Sequence, residues 1–223
     1  MKDRGEQLKQ LTQAVAGFPE WLPQERIVEQ QLLDKIRIAF ERFGFVPIET
    51  PAIEKHEVLE SKGEIQQQIF SLHRPGIGGT GWDLHYDLTV PLARYVATHY
   101  NDLVFPFRRY QIQKVWRGEN PQKWRFREFY QCDIDIIGDE HLSLLADAEI
   151  TCVIFQIFTD LAIGKFTILL SNRKILWGIL SDFSLPNDSI IAALQTLDKV
   201  EKEGTTAVER VLKEDLNLPS VAV

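Results

Sequence analysis

Two strand-like runs, Arg108–Arg117 and Phe126–Ile137, flank the connector GENPQKWR. Glycine and proline in that connector mark a turn, so the runs predict a hairpin. Side chains alternate across a strand, and parity therefore sorts them by face. From 125 to 135, odd positions carry Arg125, Arg127, Phe129, Gln131, Asp133 and Asp135. Even positions carry Phe126, Glu128, Tyr130, Cys132 and Ile134. In the first run the face of Arg117 holds Val115, Gln113, Gln111 and Arg109. A half-buried strand normally reads apolar on one face and polar on the other. Here the polar face mixes cations, an aromatic ring, amides and carboxylates, which is more than solvation requires.

That mixture suits a nucleotide and a small zwitterion bound side by side. Arginine matches phosphate oxygens in a bidentate geometry that lysine lacks. Phe129 offers a flat surface to a purine. Gln131 and Asp135, further along, offer hydrogen bonds to a second polar substrate. Charge distribution points the same way. The chain carries a net charge of −7, which argues against a surface that coats nucleic acid. Yet between Arg108 and Arg127 seven basic residues face Glu119 as the one acidic residue. A solvated charged face is the usual meaning of such a run, but the periodicity favours a ligand face.

Around the hairpin the chain alternates short elements. Pro23 suits the first turn of a helix. Val28, Leu32, Ile36, Ala39, Phe40 and Phe43 then recur at helical spacing, and Gly44 stands where a left-handed cap is expected. Phe45–Glu49 reads as a short strand ended by Pro51. Ile69–His73 and Trp82–His85 are strand candidates around the glycine-rich RPGIGGTG. Helices are predicted from Pro91 to about Tyr100 and from Leu142 to Ala162, then a strand at Phe166–Leu170 and short helices from Asn172 onward. Strands paired by hairpins, with helices packed on them, give an α+β class: an antiparallel sheet with flanking helices.

Composition excludes several alternatives. Hydrophobic residues make up 44% and charged residues 26%, ordinary values for a globular domain. No apolar run is long enough for a transmembrane helix, and MKDRGEQLKQ lacks the apolar stretch of a secretory signal, so a cytoplasmic location is expected. Cys132 and Cys152 are too few for a zinc site and read as reduced, mostly buried thiols; no metal site is expected.

The segment VWRGENPQKWRFREFYQCDIDIIG resembles motif 2 of class II aminoacyl-tRNA synthetases, and in detail that of the histidyl type. ERFGFVPIETPAIE resembles motif 1, the dimerising helix–strand with a terminal proline. YDLTVPLARYV resembles the histidyl-type segment that contacts the amino acid, and the likeness continues through LLADAEI and LSNRKILWGIL. The resemblance implies ATP-dependent activation of histidine and transfer to tRNA(His), by a homodimer formed through motif 1. It places Arg117 on the α-phosphate as the catalytic cation, Glu119 on the adenine amino group, Arg125 on the distal phosphates and Phe129 against the base. Asp87, Thr89 and Gln131 would take the α-amino group and Asp135 the imidazole, with Mg2+ bound through the ATP phosphates.

The chemistry fits those residue types. The attacking group is already a carboxylate, so the first step needs alignment and cations rather than a general base. Duller roles stand beside the implied ones. Asp87 and Thr89 also suit a helix cap, Arg127 suits an ion pair with Glu128 or another carboxylate, and Trp116, Trp124 and Tyr130 suit packing. His85 lies where family members often carry arginine and is given no role; His73 is expected to be exposed.

Motif 3 and the histidyl-specific Arg-Gly-Leu-x-Tyr-Tyr segment do not occur in this sequence. Residues 1–171 therefore read as a partial synthetase core, incomplete on its C-terminal side, and 172–223 as the start of a helical insertion. A sheet so truncated has an open edge, and the chain alone is expected to bind ATP weakly and not to aminoacylate tRNA. A synthetase-like regulatory subunit of ATP phosphoribosyltransferase is the alternative, though Glu119, Arg125, Gln131 and Asp135 favour the synthetase.

Overall fold

A computed structural model describes residues 11–61, 68–183 and 185–215. The chain divides into two compact units, 1–165 and 166–223. In the first, helix α1 spans Pro23–Arg42, with proline in its first turn and the Glu25 carboxylate accepting the Leu22 N–H. Gly44, at φ +76°, lets Gly44 N–H reach the Glu41 carbonyl and Phe45 N–H reach that of Phe40. This closes the helix as a Schellman cap and sends the chain directly into a strand.

That strand, β1 (Val46–Pro47), joins β5 (Phe107–Trp116) and β6 (Glu128–Ile137) in the order β1-β5-β6. The β5–β6 pairing is antiparallel, with Arg109 opposite Asp135, Gln111 opposite Asp133, Gln113 opposite Gln131 and Val115 opposite Phe129. Odd thus faces odd, as parity requires. Strand β1 runs parallel to β5, so this sheet is mixed rather than purely antiparallel. The even face presents Tyr110, Ile112, Cys132, Ile134 and Ile136 to α1 and to α4 (Leu145–Asp160), around buried Ala39, Phe40, Val153 and Ile157.

A second antiparallel sheet orders β2 (Ile53–Lys55), β4 (Gly78–Leu84) and β3 (Phe70–Arg74) as β2-β4-β3. The short α2 (His56–Glu60) and then α3 (Thr89–His99) cover it through Leu59, Tyr86 and Val90. His85 joins the two sheets. It is fully buried, its carbonyl accepts the Trp116 N–H, its Nε2 lies 2.8 Å from the Lys114 carbonyl, and its ring stacks on that of Trp116. The histidine given no role by its sequence position is therefore a structural joint.

Several expectations change. Val28 and Leu32 are 54% and 42% exposed, because the cluster under α1 begins only at Ile36. Trp124 is 78% exposed at φ +67° on the hairpin loop, not packed. Cys152 is exposed, whereas burial pushes the Cys132 thiol up to about 11.

The second unit is helical: α5 (Arg173–Ser181), α6 (Asn187–Leu197), α7 (Val200–Glu203) and α8 (Thr205–Arg210). The Asn172 side chain caps α5 by accepting the Lys174 N–H, and Leu180, Ile190, Leu194 and Val208 form its small core. Phe166–Leu170 forms no strand. An apolar run becomes a strand only when another strand completes its ladder, and none of the described strands pairs with it.

Candidate active site

Arg117 follows β5 directly, and its backbone N–H donates to the Arg127 carbonyl, closing the hairpin. Its guanidinium lies 5.1 Å from the centre of the Phe129 ring, and Nε donates to the Tyr86 carbonyl at 3.0 Å. One edge of the fork is thus held by the β4–α3 connection and one face by an aromatic ring. Arg117 and Phe129 come together as parity requires, although the ring surface assigned to a base carries the guanidinium here.

Glu119 and Arg125 form an ion pair across the loop. That pairing, through its hydrogen bond, holds the Glu119 carboxyl below its ordinary range. Arg125 faces solvent, whereas the Glu119 side chain is only 18% exposed. Arg127 makes no ion pair among the described residues. Its Nε donates to the Glu119 carbonyl at 2.9 Å and Nη1 to that of Ala16 at 3.3 Å, while Arg127 N–H donates to the Gly17 carbonyl at 2.7 Å. The irregular segment before α1 is therefore a strap that anchors the hairpin loop.

Gly17 makes this possible. It sits at φ +86°, and a Cβ there would lie 2.9 Å from Arg127 Cγ. Gly17→Ala combines left-handed strain with that clash and is expected to lower stability by about 1–3 kcal/mol. Chemical denaturation checks this. Limited proteolysis should show faster cleavage within 118–127, and unchanged cleavage would contradict the strap.

The second group gathers at the other end of the same face. Asp87 is buried at the end of the β4–α3 connection, and its Oδ1 accepts the Val90 N–H at 3.1 Å, so the capping role is real. Thr89 opens α3 and is exposed. Thr89, Asp133 and Asp135 line a cavity of about 450 Å³ at the free edge of β6, where Cys132 and Ile134 from the other face, with Ile36, Phe40 and Ile154, also reach it. Gln131 contributes a buried Oε1 that has no hydrogen-bond partner among the described residues, an acceptor available to a ligand.

Beneath Asp135 lies Arg109, wholly buried, with Nη2 ion-paired to the Asp135 carboxylate. The contact is close but lacks hydrogen-bond alignment, and Arg109 Nε has no acceptor among the described residues. Burial pulls the Arg109 guanidinium down and pushes the Asp133 carboxyl up, the latter opposed by Arg109 and reinforced by Asp135 and Asp87. Arg109 and Asp133 were legible as members of the odd face, but nothing in the alternation distinguished a buried cation from an exposed one.

Comparison with known proteins settles the lineage. The family profile described as histidyl-tRNA synthetase matches residues 17–219. The chain belongs to the histidyl-tRNA synthetase family. Within that family it is 46% identical over 211 residues to a histidine–tRNA ligase of Thermobifida fusca, covering 92% of this chain and 48% of that protein. It is 49% identical over 200 residues to the histidine–tRNA ligase of Clostridium tetani, covering 89% of this chain and 44% of that protein. The chain thus spans about half the length of the curated relatives it matches. A crystal structure of histidyl-tRNA synthetase from a Nostoc species superposes with a TM-score of 0.85 at 42% identity, over 95% of this chain and 46% of that one. A Bacillus halodurans structure described as an ATP phosphoribosyltransferase regulatory subunit/histidyl-tRNA synthetase shares the fold alone, with TM-score 0.78 at 22% identity over 95% of this chain and 53% of that one.

Proposed function

We propose that this chain supplies the ATP- and histidine-binding face of a cytoplasmic histidine–tRNA ligase. The observation that carries the reading is the registered odd face of β5 and β6. It runs from Arg117 and Phe129 at the loop end to Gln131 and Asp135 at the cavity end. Histidine's carboxylate oxygen attacks the α-phosphorus of ATP, forming the mixed anhydride as the bond to pyrophosphate breaks. Arg117 neutralises charge on the phosphoryl oxygens, with Arg125 on the distal phosphates and Glu119 on the adenine amino group. Mg2+ held by the ATP phosphates would offset their charge; among the described residues no cluster of three or more His, Cys, Asp or Glu side chains suits a metal. Asp87, Thr89 and Gln131 take the ammonium, and Asp135 accepts the imidazole N–H, which discriminates against isosteres lacking that donor. The acyl group then passes to the terminal ribose of tRNA(His). Residues 1–171 form the core that carries this face, and 172–223 begin a helical insertion.

The test is isothermal titration of the purified chain with a non-hydrolysable histidyl-adenylate analogue, which joins both halves of the face in one ligand. Heat of binding is expected, with Asp135→Asn weakening the histidyl analogue selectively over AMP. No heat at any accessible concentration, with the chain folded, would reject the reading.

We infer also that the chain self-associates through α1 and β1. The support is an uncovered apolar surface that includes Ile27, Val28, Leu32 and Val46. Sedimentation equilibrium should give a dimer mass that Leu32→Glu reduces to a monomer; a monomeric wild type contradicts it. No described helix is long and apolar enough to cross a membrane.

A further inference from the structure

We propose that Arg109 is a positioning residue, the buried counter-ion that holds the Asp135 carboxylate and offsets the charge of Asp133 on the same strand, for a cationic ligand. The inference rests on the histidine reading only for the ligand's identity; the charge arrangement is a property of the fold.

Strand β5 is the central strand of its sheet, and Arg109 projects from it on the odd face, opposite Asp135, with no exposed surface. A buried guanidinium is rare unless it is paired. It pairs with Asp135 on one side, and on the other Nη1 donates to Gln111 Oε1 at 3.3 Å. Gln111 is itself locked: its Nε2 donates to Thr50 Oγ1 at 2.9 Å and to Gln113 Oε1. Gln113 Nε2 in turn donates to the Thr50 carbonyl at 2.7 Å. The guanidinium therefore cannot swing away from the carboxylates, being buttressed by a row of amides ending on Thr50, in the segment that links β1 to β2.

The charges around Asp133 do not balance. The charged groups acting on Asp133 are Arg109 and Arg117 from β5 and its end, Asp135 from β6, and Asp87 from the β4–α3 connection. Arg117 is drawn toward Phe129 and the Tyr86 carbonyl, leaving Arg109 as the cation fixed among the carboxylates. Remaining cavity-wall side chains such as Ile150, Ile154 and Phe158 bring no charge. Asp133 and Asp135 against the one buried guanidinium of Arg109 leave room for one more positive group, which is what a ligand ammonium or imidazolium supplies. Without Arg109 the wall would have to take up a proton instead, and Asp133, already pushed up by burial, is where it would go.

The sign of the pH effect follows. A carboxyl whose folded pKa is raised is stabilising to protonate, so its penalty is absent at low pH and grows as pH rises through that pKa. Removing Arg109 enlarges the penalty. Arg109→Met is therefore expected to lower Tm by roughly 5 °C more at pH 8 than at pH 5, a difference that Asp133→Asn in the same chain largely cancels. Arg109→Lys, which keeps the charge, should show a smaller pH dependence. In titrations of the full chain, Arg109→Met should weaken L-histidine binding about 10-fold while ATP binding changes less than about 2-fold. Equal loss of Tm at both pH values, with no recovery in the double variant, overturns the counter-ion role. If instead the Tm coupling between 109 and 133 appears but wild-type chain takes up no histidine, the counter-ion role stands and the histidine reading falls.

Discussion

Arg117→Ala is expected to weaken binding of a histidyl-adenylate analogue by about 100-fold, equivalent to about 2.7 kcal/mol. Two features make the loss large. The guanidinium is oriented before any ligand arrives, by its bond to the Tyr86 carbonyl and its place against Phe129. A preoriented fork loses little entropy on meeting a phosphoryl group. Arg117→Lys keeps the charge but cannot make two parallel hydrogen bonds, so an intermediate loss of about 10-fold should result. Isothermal titration at one fixed salt concentration checks both. Equal affinity of wild type and Arg117→Ala would remove Arg117 from the phosphate site. Because its side chain also touches the β4–α3 connection, the circular dichroism spectrum and Tm of each variant belong beside the titration.

Phe40→Ala should be the most destabilising single truncation in the first unit, at about 3–5 kcal/mol. Phe40 is 2% exposed and its ring lies 5.6 Å from that of Tyr110, joining α1 to the even face of β5. Truncation removes apolar burial and leaves a void between a helix and a sheet that cannot easily close. Phe40 also lines the cavity that holds Thr89, Asp133 and Asp135. Urea denaturation gives the stability change as a shifted midpoint at unchanged slope. A loss under about 1 kcal/mol would show that the helix–sheet contact is not what holds this unit together.

Much of the candidate site could be read from alternation because a pleated strand has a period of two, and period two needs no knowledge of the partner. Phe129, Gln131 and Asp135 fall on one face of the observed ladder for that reason, and Arg117 directly follows its end. Loop residues follow no period. The Glu119–Arg125 ion pair and the bonds of Arg127 to the Ala16 and Glu119 carbonyls depend on a turn geometry that composition does not specify. Likewise the apolar Phe166–Leu170 has strand character, yet strand formation is a property of a pair.

What this amino-acid sequence determines by itself is local: the α1 cap at Gly44, the hairpin, and which side chains share a face with Arg117. Each follows from φ preferences, turn residues or the pleat, all of which act within a few residues. Only the tertiary structure decided which members of that face are buried. Arg109 and Arg125 share the odd parity that the sequence reads as one face, but β1 and β6 flank Arg109 on the central strand, whereas Arg125 lies before β6 on an exposed loop and belongs to no strand face. Desolvation depends on what lies across the sheet, and the strands that supply it come from stretches of chain roughly sixty residues before and twenty-five residues after Arg109.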